Sequence, residues 1–231
     1  MTIAFRWKNR DTLSDELYLP MMKSEDEKIN PRTQRAQDAL KAAAFKLVSK
    51  HPVADISLTE IAEEAGVSRP TVYKLFDDVP TLVAQTSMDY LNETLIRIDE
   101  ELAADGFDQV GPLDKDRESE YFEKLMERFI SAVYTDKEFY RNAVYGPSMS
   151  MIMVGFTQIL DERMGTHHIG KRFQKKHPDD LDAANDYRAA LSAGVVWLVV
   201  RWLKSDFTGS NSPACVSHRI AQTLFDLSDA S

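Results

Sequence analysis

Residues 57–76 read Ser-Leu-Thr-Glu-Ile-Ala-Glu-Glu-Ala-Gly-Val-Ser-Arg-Pro-Thr-Val-Tyr-Lys-Leu-Phe, and their reading decides the fold. Ser57 followed by Glu60 three residues on is a capping-box signature. Leu58, Ile61, Ala62 and Ala65 recur at helical spacing. Gly66 ends that helix, since glycine enters the left-handed region without a steric cost. Val67 is expected to plug the corner. Ser68 is expected to cap a second helix, with Pro70 in its first turn, where no backbone donor is needed. Val72 and Leu75 then face inward, and Ala62 is small where the two helices cross. Two short helices joined by a tight turn form a helix-turn-helix, whose second helix suits a DNA major groove.

Upstream, Pro31 opens a helix expected over 33–50. Ala36, Leu40, Ala43, Ala44, Leu47 and Val48 are its apolar stripe, and His51-Pro52 ends it. Residues 31–76 therefore read as a three-helix head with its own small core. Downstream, Asp78 is expected to cap a long helix with Pro80 in its first turn, reaching about residue 104. Further helices are expected over 118–134, 135–145, 148–164 and 181–205, with a last one starting at Ser212-Pro213. Turn-rich loops are expected at 105–117 and 165–180. The fold class is all-α: a helix-turn-helix head plus a helical-bundle body, about nine helices in all. The domains are an N-terminal extension at 1–30, expected to be mobile, a DNA-binding head at 31–77, and an effector-binding and dimerisation body at 78–231.

The chain has 231 residues and a formal net charge of −9, an unusual sign for a DNA binder. Distribution matters more than the sum. Residues 32–74 hold seven Lys/Arg against five Asp/Glu, so that segment is near +2 and the remainder near −11. A mildly basic head on an acidic body suits a protein whose small end meets phosphate. One cysteine, Cys215, rules out an intramolecular disulfide and points to a reducing compartment. The first residues lack the apolar run of a secretory signal. The longest apolar run, 195–200, is far too short to span a bilayer. A cytoplasmic location without membrane association is expected.

Residues 191–202 carry apolar side chains nearly all round the helix. Leu191, Val195, Leu198 and Trp202 lie on one side, and Val196, Trp197 and Val200 on another. Ala189, Ala190, Ala193 and Gly194 permit close helix contact. With the stripe Val216, Ile220, Leu224 and Leu227 of the last helix, these residues are expected to pair with a second copy of the chain in a four-helix bundle. The expected dimer interface is Leu191, Val195, Leu198, Trp202, Ile220 and Leu224.

The head and the helical body behind it resemble the TetR family of bacterial repressors. The resemblance is strongest over 39–82, from Ala-Phe-Lys-Leu-Val through the helix-turn-helix to Leu82, and is one of outline in the body. It implies a homodimer that binds an inverted repeat in double-stranded DNA, with a small molecule in the body spreading the heads and releasing the DNA. Carried over by position, Thr59 holds a phosphate, and Ser68, Arg69, Thr71 and Lys74 face DNA. Tyr73 bonds a phosphate through its hydroxyl. One position departs from the pattern. A lysine common in the family a few residues after the phenylalanine is replaced by Val79, preceded by Asp77 and Asp78, which leaves backbone contacts to Arg32 and Arg35. Elementary chemistry agrees with these roles: Arg69 can bind guanine in a bidentate fork, Thr71 can meet a thymine methyl or a phosphate, and Lys74 can add a salt-sensitive phosphate contact.

The body is rich in methionine and aromatic residues, which suit an adaptable apolar pocket. A small hydrophobic or aromatic effector is expected, with Met126, Phe129, Met153 and Trp197 as its contacts. The alternative is a DNA-bound protein that recruits a protein partner and has no effector. A cavity of several hundred Å³ discriminates for the first reading. No metal site is expected: His167, His168, His177 and the pair Cys215 and His218 lack ligand spacing. No cofactor and no enzymatic activity are expected, because no G-x-S-x-G or phosphate-binding glycine motif occurs, and Gly146-Pro147-Ser148-Met149-Ser150 lacks the final glycine.

Overall fold

The Asn30 side chain accepts from the Arg32 amide and Pro31 fills the first helical position, so α1 runs Pro31–Val48. It starts and stops two residues before the expected span. The computed structural model describes residues 30–107, 114–166 and 179–229, and nine α-helices and no strand occur among them. The expected extension, 1–30, lies outside the described residues except for Asn30.

After a single 3-10 turn at Val53–Asp55, α2 spans Leu58–Ala65. Its capping box is complete: Ser57 Oγ accepts from the Glu60 amide, and the Glu60 carboxylate accepts from the Ser57 amide and hydroxyl. The Ser57 hydroxyl first and its amide second hold the Glu60 carboxyl below the usual carboxylate range. Gly66 sits at φ 65°. Its amide donates to Glu63 O and the Val67 amide to Ala62 O, the paired bonds of a Schellman turn. That turn aims α3, Arg69–Leu75, across α2. Leu40, Ile61, Ala62 and Val72 are buried between the three helices.

Asp78 caps α4, Val79–Ala104, through the Thr81 amide. Then follow α5 (Lys115–Thr135), α6 (Lys137–Val144), α7 (Met149–Thr166), α8 (Leu181–Trp202) and α9 (Pro213–Asp229). Helix α5 begins earlier than expected, because Asp114 caps it through the Arg117 amide. The loop around Gly111 and Pro112, and the segment carrying His167, His168 and His177, lie outside the described residues.

In the body, α9 lies along α5, and α8 lies along α7. Helix α7 also crosses α4 at Gly155, where a Cβ would fall 2.2 Å from Met88 Sδ. Two arginines tie this layer together: Arg188 pairs with Asp161 through bonds of 2.8 and 3.1 Å, and Arg163 pairs with Asp99. The core of the head is not separate. Phe76, Val79, Leu82 and Val83 join it to the core of the body without a break. At that junction Phe45 of α1 stacks on Tyr90 of α4 at 4.3 Å and on Phe139 of α6 at 4.4 Å. Among the described residues no single helix is long and apolar enough to cross a membrane.

Candidate nucleic-acid interface

Helix α3 buries one side and offers the other. Val72 is fully buried and Leu75 partly so, while Ser68, Arg69, Pro70, Tyr73 and Lys74 are exposed. Tyr73 is 58% exposed, which a core tyrosine would not be, so its ring and hydroxyl are presented outward. Thr71 is half-buried and close to Ser68: the two hydroxyls lie 2.7 Å apart. This corrects one expectation. Ser68 occupies the N-cap position but makes no capping bond, because its hydroxyl is engaged with Thr71. Thr59 is half-buried in the first turn of α2, and Arg32 and Arg35 are exposed in the first turns of α1.

The exposed cation Arg69 already has a partner. Its Nη2 donates to Glu63 Oε1 at 2.7 Å, from the first residue of α3 back to α2. A separation of six residues matches no spacing along a single helix, so only the turn geometry reveals it. Lys46 of α1 pairs likewise with Glu64 and holds that carboxyl below the usual range. Val79 is 8% exposed, so the position carrying the departure belongs to the continuous core that joins head and body.

The expected dimer residues lie mostly inside the single chain. Leu191, Val195, Trp202, Ile220 and Leu224 are each buried within the single chain, and Leu198 is partly buried. Their physical partners are α7 for α8 and α5 for α9, which already remove those stripes from water. What α8 leaves uncovered is the opposite face: Ala189, Ala190, Ala193, Gly194, Trp197 and Arg201.

The expected effector residues are also scattered. Met126 and Phe129 are buried, Met153 is partly buried, and Trp197 is 52% exposed because it points away from α7. Phe129 lines a small apolar cavity together with Leu91, Tyr140, Phe156 and Val196, whereas Met126, Met153 and Trp197 do not. The cavity holds about 20 Å³, roughly one water molecule. A larger space of about 590 Å³ is an open groove between α4 and α5, walled by charged side chains including Arg97, Asp105, Lys124 and Arg128. Sequence reasoning missed Leu91 and Val196, since apolar stripes look alike whether they wall a cavity or fill a core. Among the described residues no three His, Cys, Asp or Glu side chains come together as metal ligands. His218 Nδ1 lies 2.8 Å from Glu123 Oε1.

A helix-turn-helix with a polar, exposed second helix, carried on an all-helical body, defines a DNA-binding transcriptional regulator. Residues 40–83 match the profile of the bacterial regulatory proteins of the tetR family. The whole fold is similar to the fatty acid degradation regulator FadR from Bacillus halodurans, with a TM-score of 0.55 at 15% identity, covering 86% of this chain and 97% of that one. It is similar too to the TetR family repressor AlkX from Dietzia sp. strain DQ12-45-1b, implicated in biodegradation of n-alkanes, with a TM-score of 0.55 at 11% identity, covering 84% and 95%. No curated protein matches the chain. The head of the chain, residues 40–83, thus matches that of the tetR family, and the chain shares the fold of these two regulators.

Proposed function

We propose that the chain is a repressor that binds an inverted repeat as a homodimer, with 31–77 as the DNA-binding unit and 78–231 as the sensing and pairing unit. The observation that carries the reading is the exposed face of α3, where Arg69, Tyr73 and Lys74 stand out from a helix whose other side is locked by Val72. Arg69 reads a guanine edge, and Ser68 and Thr71 lie beside it. Thr59, Tyr73, Lys74, Arg32 and Arg35 hold phosphates. Two copies are needed, because one short helix covers only a half-site. The copies meet on the outward face of α8 around Ala193, Gly194 and Trp197.

The sensing step acts on the apolar cavity between α4, α5, α6, α7 and α8. A hydrophobic effector enters by parting these helices, and the similarity in fold to regulators named for fatty acid and n-alkane degradation supports an aliphatic ligand. The closed interior supports a second reading. At about 20 Å³ it is far below the roughly 300–1,000 Å³ of a ready-made ligand pocket. A body that recruits a protein partner, and has no effector, needs no cavity.

Selection of duplexes from a random pool by the full chain tests the proposal. The expected product is an inverted repeat with half-sites about one helical turn apart. In that setting Arg69→Ala should lose about 1–3 kcal/mol of discrimination at one base pair per half-site. Lys74→Ala should weaken all duplexes alike and lower the salt slope by about 1. Unchanged preference in the first variant removes Arg69 from base reading. Medium-chain fatty acids and alkanes that leave the complex intact would favour the partner-recruiting reading.

A further inference from the structure

Helix α2 carries three glutamates, and each is engaged. Glu60 completes the cap with Ser57, Glu64 pairs with Lys46, and Glu63 pairs with Arg69. Glu60 and Glu64 are held by groups that fasten α2 in place. Glu63 alone is bonded to a residue of the DNA-reading face. Both members of that pair are well exposed, at 64% for Glu63 and 63% for Arg69, so packing does not force the contact. It follows from the Schellman turn at Gly66, which brings the last turn of α2 beside the first residue of α3.

We infer that Glu63 is a positioning residue that keeps hold of Arg69 Nη2 and so aims the rest of the guanidinium fork at a guanine edge. The inference rests on the proposal that α3 reads DNA. A guanidinium presents five donors in a planar fork. With Nη2 held by Glu63, the other donors of the fork are fixed in direction and the guanidinium is not free to swing to a phosphate. An adenine or thymine edge offers a single acceptor in the major groove, whereas guanine presents O6 and N7 together. Among the base edges, only guanine therefore takes two bonds from the fixed fork. The carboxylate charge repels the phosphate backbone at every site, so its removal tightens all duplexes, and only the lost aim of Arg69 separates them.

The test uses Glu63→Gln, which keeps the shape and an acceptor but removes the charge. Affinities are measured for the selected operator and for the same duplex with the Arg69-contacted guanine pair changed to an adenine pair. Binding of the altered duplex should tighten about two- to fivefold, the scale of an exposed ion pair. The operator should gain less, so the ratio of the two affinities falls. In an Arg69→Ala background the same change should shift both duplexes equally. A preserved ratio in Glu63→Gln, or an equal fall of the ratio with Arg69 absent, would overturn the inference. A wild-type chain that binds DNA but selects no sequence would overturn the base-reading proposal itself, and the role of Glu63 with it.

Discussion

Ser57 and Gly66 bracket α2 and fix its length and exit. Replacing Ser57 by Ala removes the acceptor for the Glu60 amide and should cost about 1 kcal/mol at neutral pH, measured by denaturant unfolding. Part of that loss depends on charge. Glu60 is held below its unfolded value, so its contribution is present above that value and vanishes as pH falls through the lower folded one. The penalty of Ser57→Ala should accordingly shrink toward pH 3. A penalty constant over pH would show that the carboxylate end of the cap adds nothing. These residues were legible from sequence because a cap is a local bond between near neighbours. The pairing of Glu63 with Arg69 was not legible, since it depends on how two helices cross.

Helix α6 is only eight residues long, yet it touches both ends of the proposed signal. Toward the head, Asn142 Nδ2 donates to Val48 O at 2.7 Å and Phe139 packs on Phe45. Toward α8, Arg141 Nε donates to Leu203 O at 2.8 Å and its Nη2 to Ser205 O at 3.0 Å, while the Tyr145 hydroxyl donates to Val200 O. The arginine thus satisfies carbonyls of the turn just past the end of α8, and its guanidinium lies 4.8 Å from the Phe207 ring. Phe207 itself sits at φ 60°, a strained choice for an aromatic residue, held by Trp202 and Tyr134. Arg141→Ala should therefore speed amide exchange across 203–208 while leaving α2 protected. Unaltered exchange there would show that the turn is held by its aromatic contacts alone. The sequence marked α6 as a short helix, but its role as a strap became visible only through partners roughly 60 and 90 residues away.

At the scale of the molecule, burial decides which face is free to pair. Charge placed at Ile220, which is 2% exposed, would break the single chain before it could report on a dimer. Charge placed at Trp197, half exposed on α8, leaves the core alone. Trp197→Glu should keep its helical signal and sediment as a monomer under conditions where the wild type is dimeric. A dimeric Trp197→Glu chain would move the pairing face elsewhere.

The sequence by itself determined the head. Capping residues, a left-handed glycine, helix-period apolar positions and a proline in a first turn all act within a few residues of one another, so they can be read in order along the chain. It also determined that the body is helical and, in outline, where its helices lie. Tertiary structure alone decided what the body's apolar residues face. Leu191, Val195 and Ile220 have the pattern of an interface and equally that of a core, and α7 and α5 of the same chain cover them. Trp197 has the chemistry of a pocket lining, yet it faces outward. Periodicity states that a face is apolar; only the neighbour that packs on it says whether that face is buried, paired or open.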